Sequence, residues 1–338
     1  MPSQKVSTMK DVALLAKVSI QTVSAVINGK PGITPETSDR VKKAVLDLNY
    51  HPYPGARSLR TRQTNTIALI VADINNPSFA AIASAAEDVA HSNGYNLVLF
   101  NTHNDTQREF NYINKASQQW MDGVILVATG DQLTDLDSLE KAGIPIVFLE
   151  RIPFGYLGPS VTMNNYKTGN IAAEHLLELG HKKIAQIVGP QRLRIACERS
   201  DGFISGLKSA GLVTEGLVSV EGDWSCESGY RAMQLIMKGY EIPTAVFVAN
   251  DRMAIGAMQA IIDKGIRIPE DISVIGVDDI EVSSFQSPSL TTIRQPFEQM
   301  ASQSVDLLID CISGKEPEII QIIIEPELFL RKSTSSIR

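Results

Sequence analysis

Thr8–Asn28, TMKDVALLAKVSIQTVSAVIN, carries two short amphipathic patterns separated by a tight turn. Met9, Val12, Ala13 and Ala16 recur at intervals of three and four, which puts them on one face of a helix over Met9–Lys17. Ser19 offers an N-cap to a second helix, whose buried stripe is Val23, Val26 and Ile27. Gln21, Thr22, Ser24 and Asn28 fall on the opposite face, as short polar side chains suited to phosphates and base edges. Two helices joined so closely read as a helix-turn-helix, whose second helix is shaped for a major groove. Taken alone, the pattern also fits a plain αα-hairpin. Downstream, Thr34 caps a third helix, Pro35 sits in its first turn, and Val41, Ala44, Val45 and Leu48 form its buried stripe. The three helices close on Val12, Val23, Val26 and Leu48 to make a headpiece of about fifty residues.

Charge supports a reading head. Residues 1–62 hold ten Lys and Arg against four acids, a net +6, so the rest of this −7 chain carries −13. A basic front on an acidic body suits a polyanionic partner better than the overall balance suggests. At 338 residues the chain has room for two or three domains. No apolar run is long enough to cross a bilayer, and the start MPSQKVSTMK has no apolar signal core, which points to the cytoplasm. Cys197, Cys226 and Cys311 are too widely spaced for a disulfide framework or a CxxC metal site. The five histidines show no ligand spacing, so neither a metal nor a cofactor is expected.

Residues 50–65, YHPYPGARSLRTRQTN, break helix at Pro52, Pro54 and Gly55, and leave Ala56–Arg60 room for a turn or two. Such a helix is too short to hold itself in water, so it is expected to fold only on DNA. From Thr66 the pattern becomes strand–helix alternation. IALIV, NLVLF, GVILV and IVFL (from Ile67, Asn96, Gly123 and Ile146) are continuous apolar runs, the mark of strands buried on both faces. A second series runs through IAQIV, AVFVA and SVIGV, from Ile184, Ala245 and Ser273. Helix-length segments intervene at Phe79–Ser92, Gln107–Trp120, Thr168–Leu179, Arg199–Ala210, Ser228–Met237 and Asp251–Lys264. IIQIII and LFL, from Ile319 and Leu328, are left to close the sheets. The fold class is therefore α/β: a three-helix headpiece followed by two doubly wound lobes, whose strand ends face a shared crevice.

At this point DVALLAKVSIQTVSAVIN, LNYHP, ARSLRT, TNTIALIV, HLLELGH, VANDRMAIGAM, IPEDISVIGVDD and SPSLTTIRQP, in this order, make the chain resemble the lac repressor-like (LacI/GalR) family over essentially its whole length. The resemblance implies lobes of periplasmic-binding-protein type. It divides the chain into a headpiece (1–50), a hinge (51–65) and an effector-binding and dimerisation core (66–338). Within the core it implies an N-lobe of 66–162 and 294–322 and a C-lobe of 163–293 and 323–332. It also implies a homodimer on a pseudo-palindromic, double-stranded operator, acting as a repressor and not an enzyme. The helix from Asp251 and the Asp279–Phe285 segment are expected at the dimer interface.

Carried over residue by residue, Ile20 and Gln21 take base-reading positions. Thr8, Ser19, Thr22, Ser24, Asn28, Thr34 and Tyr50 take backbone-contacting ones. Leu59 is the wedge between base steps, with Ala56 packed beside it. Arg199, Asn250 and Asp278 lead the expected effector site, where a guanidinium fork and a carboxylate can each hold adjacent hydroxyls. Trp224 offers an apolar plane, and Asp73, Asn76, Phe79, Asn101, Glu150, Asn165, Gln295 and Phe297 complete the set.

The effector is expected to be a sugar or sugar derivative; a purine or other metabolite is the alternative. The chain departs from its relatives at Lys17 (usually Gly), Ala25 (often Arg), Asn164 (often Asp) and the early Pro54–Gly55. A solute-binding or enzymatic α/β core fused to a DNA-binding head is the rival of another class. Against an enzyme, no GxGxxG follows Ile67–Val71 and no GxxxxGK[ST] occurs.

Overall fold

The computed structural model describes residues 7–50, 63–119, 121–239, 241–315 and 317–337. The chain separates into two compact units, Met1–Thr64 and Asn65–Arg338.

The first unit holds α1 (Met9–Ala16), α2 (Ile20–Ile27) and α3 (Pro35–Asp47). Each starts on the residue whose side chain can accept an orphan helix N–H. Thr8 forms a reciprocal capping box with Asp11, Ser19 accepts from the Thr22 N–H, and Thr34 from that of Thr37. Val12, Val23, Val41, Ala44 and Tyr50 fill the centre. Lys17 ends α1 at φ +53°, the left-handed conformation that glycine adopts more readily. Ala56 and Leu59 lie outside the described residues.

The second unit begins with β1 (Thr66–Val71), α4 (Pro77–Ser92), β2 (Asn96–Asn101), α5 (Thr106–Gln118), β3 (Gly123–Leu126), α6 (Asp137–Ala142), β4 (Ile146–Leu149) and β5 (Ser160–Met163). A second series follows: α7 (Asn165–Glu178), β6 (Ile184–Val188), α8 (Arg194–Ser209), β7 (Val218–Glu221), α9 (Cys226–Ile236), β8 (Ala245–Val248), α10 (Asp251–Asp263), β9 (Ser273–Asp278), α11 (Glu281–Phe285) and β10 (Thr291–Arg294). The chain then returns to the first lobe with α12 (Phe297–Ile312) and β11 (Gln321–Ile324), and to the second with β12 (Glu327–Phe329). The first sheet has the order β11-β5-β4-β3-β1-β2, the second β12-β10-β9-β8-β6-β7. All pairs are parallel except β10–β12.

The runs at Ile67, Gly123, Ile146, Ile184, Ala245 and Ser273 become buried inner strands, as continuous apolar segments should. Asn96–Asn101 departs from that expectation. It forms the sheet edge, half-exposed along its length, with Leu99 41% exposed. Three strands escaped the apolar-run reading. β5 (SVTM) is broken by a serine and a threonine, β7 is an exposed edge, and β10 is threonine-rich with its hydroxyls satisfied internally. α6, α11 and the sixteen-residue α12 were also unread; α12 buries Met300, Ala301, Val305 and Leu308 against the first sheet. α8 starts at Arg194 rather than Arg199, so Arg199 lies inside the helix.

Candidate functional site

The site is assembled where strand ends of both lobes meet. α7 and α8 cross so closely that a Cβ on Gly169 would stand 2.0 Å from the Arg199 carbonyl oxygen, and one on Gly202 1.9 Å from that of Tyr166. This approach sets Asn165, the first residue of α7, beside Arg199. Arg199 is 2% exposed; its Nε donates to Asn165 Oδ1 (2.8 Å) and its Nη1 to the Ala249 carbonyl (2.7 Å). Nη1 also lies 3.9 Å from Asp278 Oδ1, and the guanidinium sits 5.8 Å from the Trp224 ring centroid. Asp278 ends β9 and accepts from Gln295 Nε2 (2.5 Å) and, across the lobes, from the Ser78 hydroxyl (3.4 Å). Burial pushes its carboxyl up to about 6, against the pull of Arg199 and Gln295.

Arg151, which the sequence reading passed over, faces this group from the first lobe. It is 5% exposed, lies over the Phe79 ring at 5.4 Å, and feels the charges of Arg192 and Arg199. Burial lowers its pKa. Its Nη1 donates to Asn104 Oδ1 at 3.4 Å, and its Nε stands 3.8 Å from Glu150 Oε2. It follows Glu150 at the end of an apolar strand, so a strand-end rule would have found it. Behind Asp278, the fully buried Asp251 accepts from the Ser283 and Thr292 hydroxyls (2.6 Å each) and the Ile280 N–H (3.2 Å). Burial and the neighbouring Asp278 charge raise it to about 8.

Eight buried side-chain polar atoms lack a hydrogen-bond partner among the described residues. Five of them belong here: Glu150 Oε2, Arg151 Nε, Arg199 Nη2, Trp224 Nε1 and Gln295 Oε1. A buried polar atom without a hydrogen bond is costly, so this concentration singles the group out as the candidate binding site.

The remaining expected residues divide. Asn76 caps α4, and Asn250 caps α10 while its Nδ2 donates to the Trp224 carbonyl (3.3 Å). Phe79 and Phe297 are buried in the first lobe's core. Asp73 is half-buried, 3.7 Å from Arg252 of the second lobe. Asn101 is not drawn into the buried group; its Oδ1 accepts from the Ile74 and His103 N–H groups and so holds two loops. A further cross-lobe contact was unforeseen. α8 has no side-chain cap of its own, and Asp131 of the first lobe accepts from the Arg194 N–H at 2.5 Å.

On the headpiece, Thr8, Ser19, Ile20, Gln21, Asn28 and Thr34 are exposed, and Thr22 and Ser24 half-buried. Asn28 donates back to the Ser24 carbonyl at 2.6 Å. Tyr50 is 8% exposed and packs in the headpiece core where α3 ends. Among the described residues no group of side chains could hold a metal ion, and no helix is long and apolar enough to cross a membrane.

Residues 8–53 match the bacterial regulatory proteins of the lacI family, and residues 173–334 match the periplasmic binding protein-like domain. The HTH-type transcriptional repressor PurR of Histophilus somni (strain 129Pt) is 38% identical, over 98% of this chain and all of that protein. The chain belongs to the lacI family. Its PurR relative from Haemophilus influenzae (strain PittEE) is 37% identical over 98% of this chain and 99% of its own. The lac repressor dimer bound to operator and the anti-inducer ONPF superposes with a TM-score of 0.89 at 31% identity, covering 98% of this chain and all of that one. The complex of transcriptional regulator CelR with cellobiose gives 0.72 at 32% identity, covering 97% and 99%. This lacI-family chain is thus a DNA-binding transcriptional repressor with an effector-binding domain, not an enzyme. Repressors of this family bind operator DNA and small effectors, and act as dimers.

Proposed function

We propose that the chain represses transcription in the cytoplasm as a homodimer on a pseudo-palindromic operator, under control of a polyhydroxylated effector bound between the lobes. The observation that carries the effector reading is the set of five buried atoms without a hydrogen bond: three donors on Arg151, Arg199 and Trp224, and two acceptors on Glu150 and Gln295, of which the Arg151 and Glu150 atoms form only a 3.8 Å ion pair. Two buried guanidinium groups stand with two buried carboxylates, Glu150 and Asp278, so the group is near neutral. Vicinal hydroxyls, each both donor and acceptor, fit this mixture, and Trp224 suits a sugar's C–H face. Arg199, Asp278, Asn165, Glu150 and Gln295 would bind directly, with Arg151 opposite; Asn76, Phe79, Asn250 and Phe297 would shape the walls.

A purine or other metabolite is the second reading. A planar ring can stack on the aromatic walls, and the PurR relatives make purines the second class to try. Calorimetry against panels of sugars and nucleobases decides between the two. Nucleobase binding with no sugar binding would overturn the first.

For DNA, Ile20 and Gln21 would read bases, Gln being suited to adenine. Thr8, Ser19, Thr22, Ser24, Asn28 and Thr34 would meet the backbone, and Leu59, with Ala56, would wedge the central minor groove open. The contacts Asp131–Arg194, Asp73–Arg252 and Ser78–Asp278 join the lobes. An effector that favours one lobe arrangement by about 2 kcal/mol changes operator affinity about thirtyfold.

A further inference from the structure

The run Ile319–Ile324, IIQIII, carries no charged side chain and lies along an open sheet edge. β11 pairs with β5 on one side, and among the described residues no strand pairs with its other side. The Ile320 and Ile324 carbonyls accept from the Ser160 and Asn164 N–H groups (2.7 and 2.9 Å). Alternation along an extended chain then turns the backbone groups of Ile319, Gln321 and Ile323 outward. The same three side chains share one sheet face. Ile319 and Ile323 are 66% and 62% exposed and Gln321 is exposed, whereas Ile322 and Ile324 turn into the first lobe's core. β7 and β12 also end sheets, but each carries an exposed glutamate, Glu221 and Glu327, the kind of charge that keeps an edge single. β11 has none.

The outward set is a palindrome, Ile319, Gln321 and Ile323. We propose that a second copy of the chain covers this edge, the two β11 strands running antiparallel about a two-fold axis at Gln321. Gln321 then faces its own counterpart, amide to amide, and Ile319 of each protomer packs on Ile323 of the other. Each of these three pairs exchanges two backbone N–H···O bonds. An extended apolar peptide could bond to the same edge, but an identical strand repeats its apolar–polar–apolar order by symmetry alone, and an isologous contact leaves no edge over. Phe154, Leu157 and Tyr166, 80%, 78% and 45% exposed, line one cavity of about 360 Å³ with Gln321 and Ile323. With the two isoleucines they offer roughly 600 Å² per copy, the low end of a specific interface. Glu325, the first charge past the run, is already paired with Lys167 at 2.7 Å. The homodimer proposed above is expected to use α10 and α11 of the second lobe, so pairing through β11 of the first lobe joins two dimers into a tetramer.

Sedimentation velocity of the full-length protein tests this. An interface of this size is expected to associate in the micromolar range, giving dimers at about 1 μM and tetramers at about 50 μM. Ile323→Lys, at an exposed position, is expected to stay dimeric at both concentrations with an unchanged circular dichroism spectrum. Register is read by cross-linking. In an antiparallel hydrogen-bonded pair the Cα atoms stand about 5.5 Å apart, within disulfide reach. Gln321→Cys is therefore expected to form a linked pair on mild oxidation, reversed by reductant and absent from the wild-type chain. Ile323→Cys is expected to link when mixed with Ile319→Cys and not by itself. A wild-type protein that never exceeds a dimer overturns the proposal and leaves the edge to some other partner. A tetramer that persists in Ile323→Lys overturns it too, as does Ile323→Cys linking to itself as readily as Gln321→Cys.

Discussion

The headpiece and the crevice handle polar side chains in opposite ways. On the headpiece, Thr8, Ser19 and Thr34 are exposed and already satisfied as helix caps, and Asn28 bonds back into α2. In the crevice, Arg151, Arg199, Glu150 and Gln295 are buried, and each keeps an atom without a hydrogen bond. A surface that meets a large polyanion can rest on local capping, because water serves the same groups when DNA is absent. A pocket that must discriminate small molecules holds its groups dry, where a missing partner costs most.

Arg199→Ala should break this contrast most strongly. It strands Asp278 and Asn165 in a buried setting, so the core should lose about 3–5 kcal/mol in denaturant unfolding, and effector binding should vanish. A loss below about 1 kcal/mol would mean that Arg199 is not the anchor of the group.

The acids of the crevice give the second test. Asp251 and Asp278 are raised above the ordinary carboxylate value, so the folded core holds their protons more tightly than the unfolded chain does. Core stability should therefore be highest below about pH 4 as far as these two groups are concerned. It should fall as pH rises through about 6 for Asp278 and about 8 for Asp251. Asp251→Asn should flatten the upper part of that slope in thermal melts; an unchanged slope would assign it to other groups. Effector affinity should move the other way for Asp278, weakening as pH drops below about 6, because the hydroxyl-accepting form is the carboxylate.

Smaller effects belong to the headpiece. Gln21→Ala should cost about 1–3 kcal/mol of operator discrimination with little change on random duplex, read by fluorescence anisotropy. Thr34→Ala should cost the headpiece about 1 kcal/mol through the lost cap of α3. Lys17→Gly should be neutral to slightly stabilising, by less than about 1 kcal/mol, since it relieves a left-handed lysine. A marked loss at Lys17 would show that its charge matters more than its conformation.

What could be read beforehand followed from local signals. Caps at Thr8, Ser19 and Thr34, and apolar runs such as IALIV, announce themselves within a few residues. β10 did not, because Thr291 and Thr292 are buried only by virtue of partners on Thr334 and Asp251. β7 did not, because an edge strand alternates too weakly. In the crevice, Arg199 and Asp278 were carried by resemblance, and the geometry brings them together. Arg151 stood in plain view past the end of IVFL, next to Glu150, where the strand-end rule that picks out Glu150 reaches it too. Asp131 and Ser78 are matters of lobe against lobe, and no spacing along the chain encodes that.

The most direct test selects an operator from a random duplex pool with the full-length protein. Binding to that operator and to a scrambled duplex is then measured at near-physiological salt, with and without a compound that calorimetry places in the crevice through Arg199. The account predicts a preference for the selected duplex of at least about a thousandfold. It also predicts a change of about thirtyfold on adding the compound, absent in Arg199→Ala. Equal affinity for both duplexes, or an operator affinity indifferent to a fully occupied crevice, would contradict it.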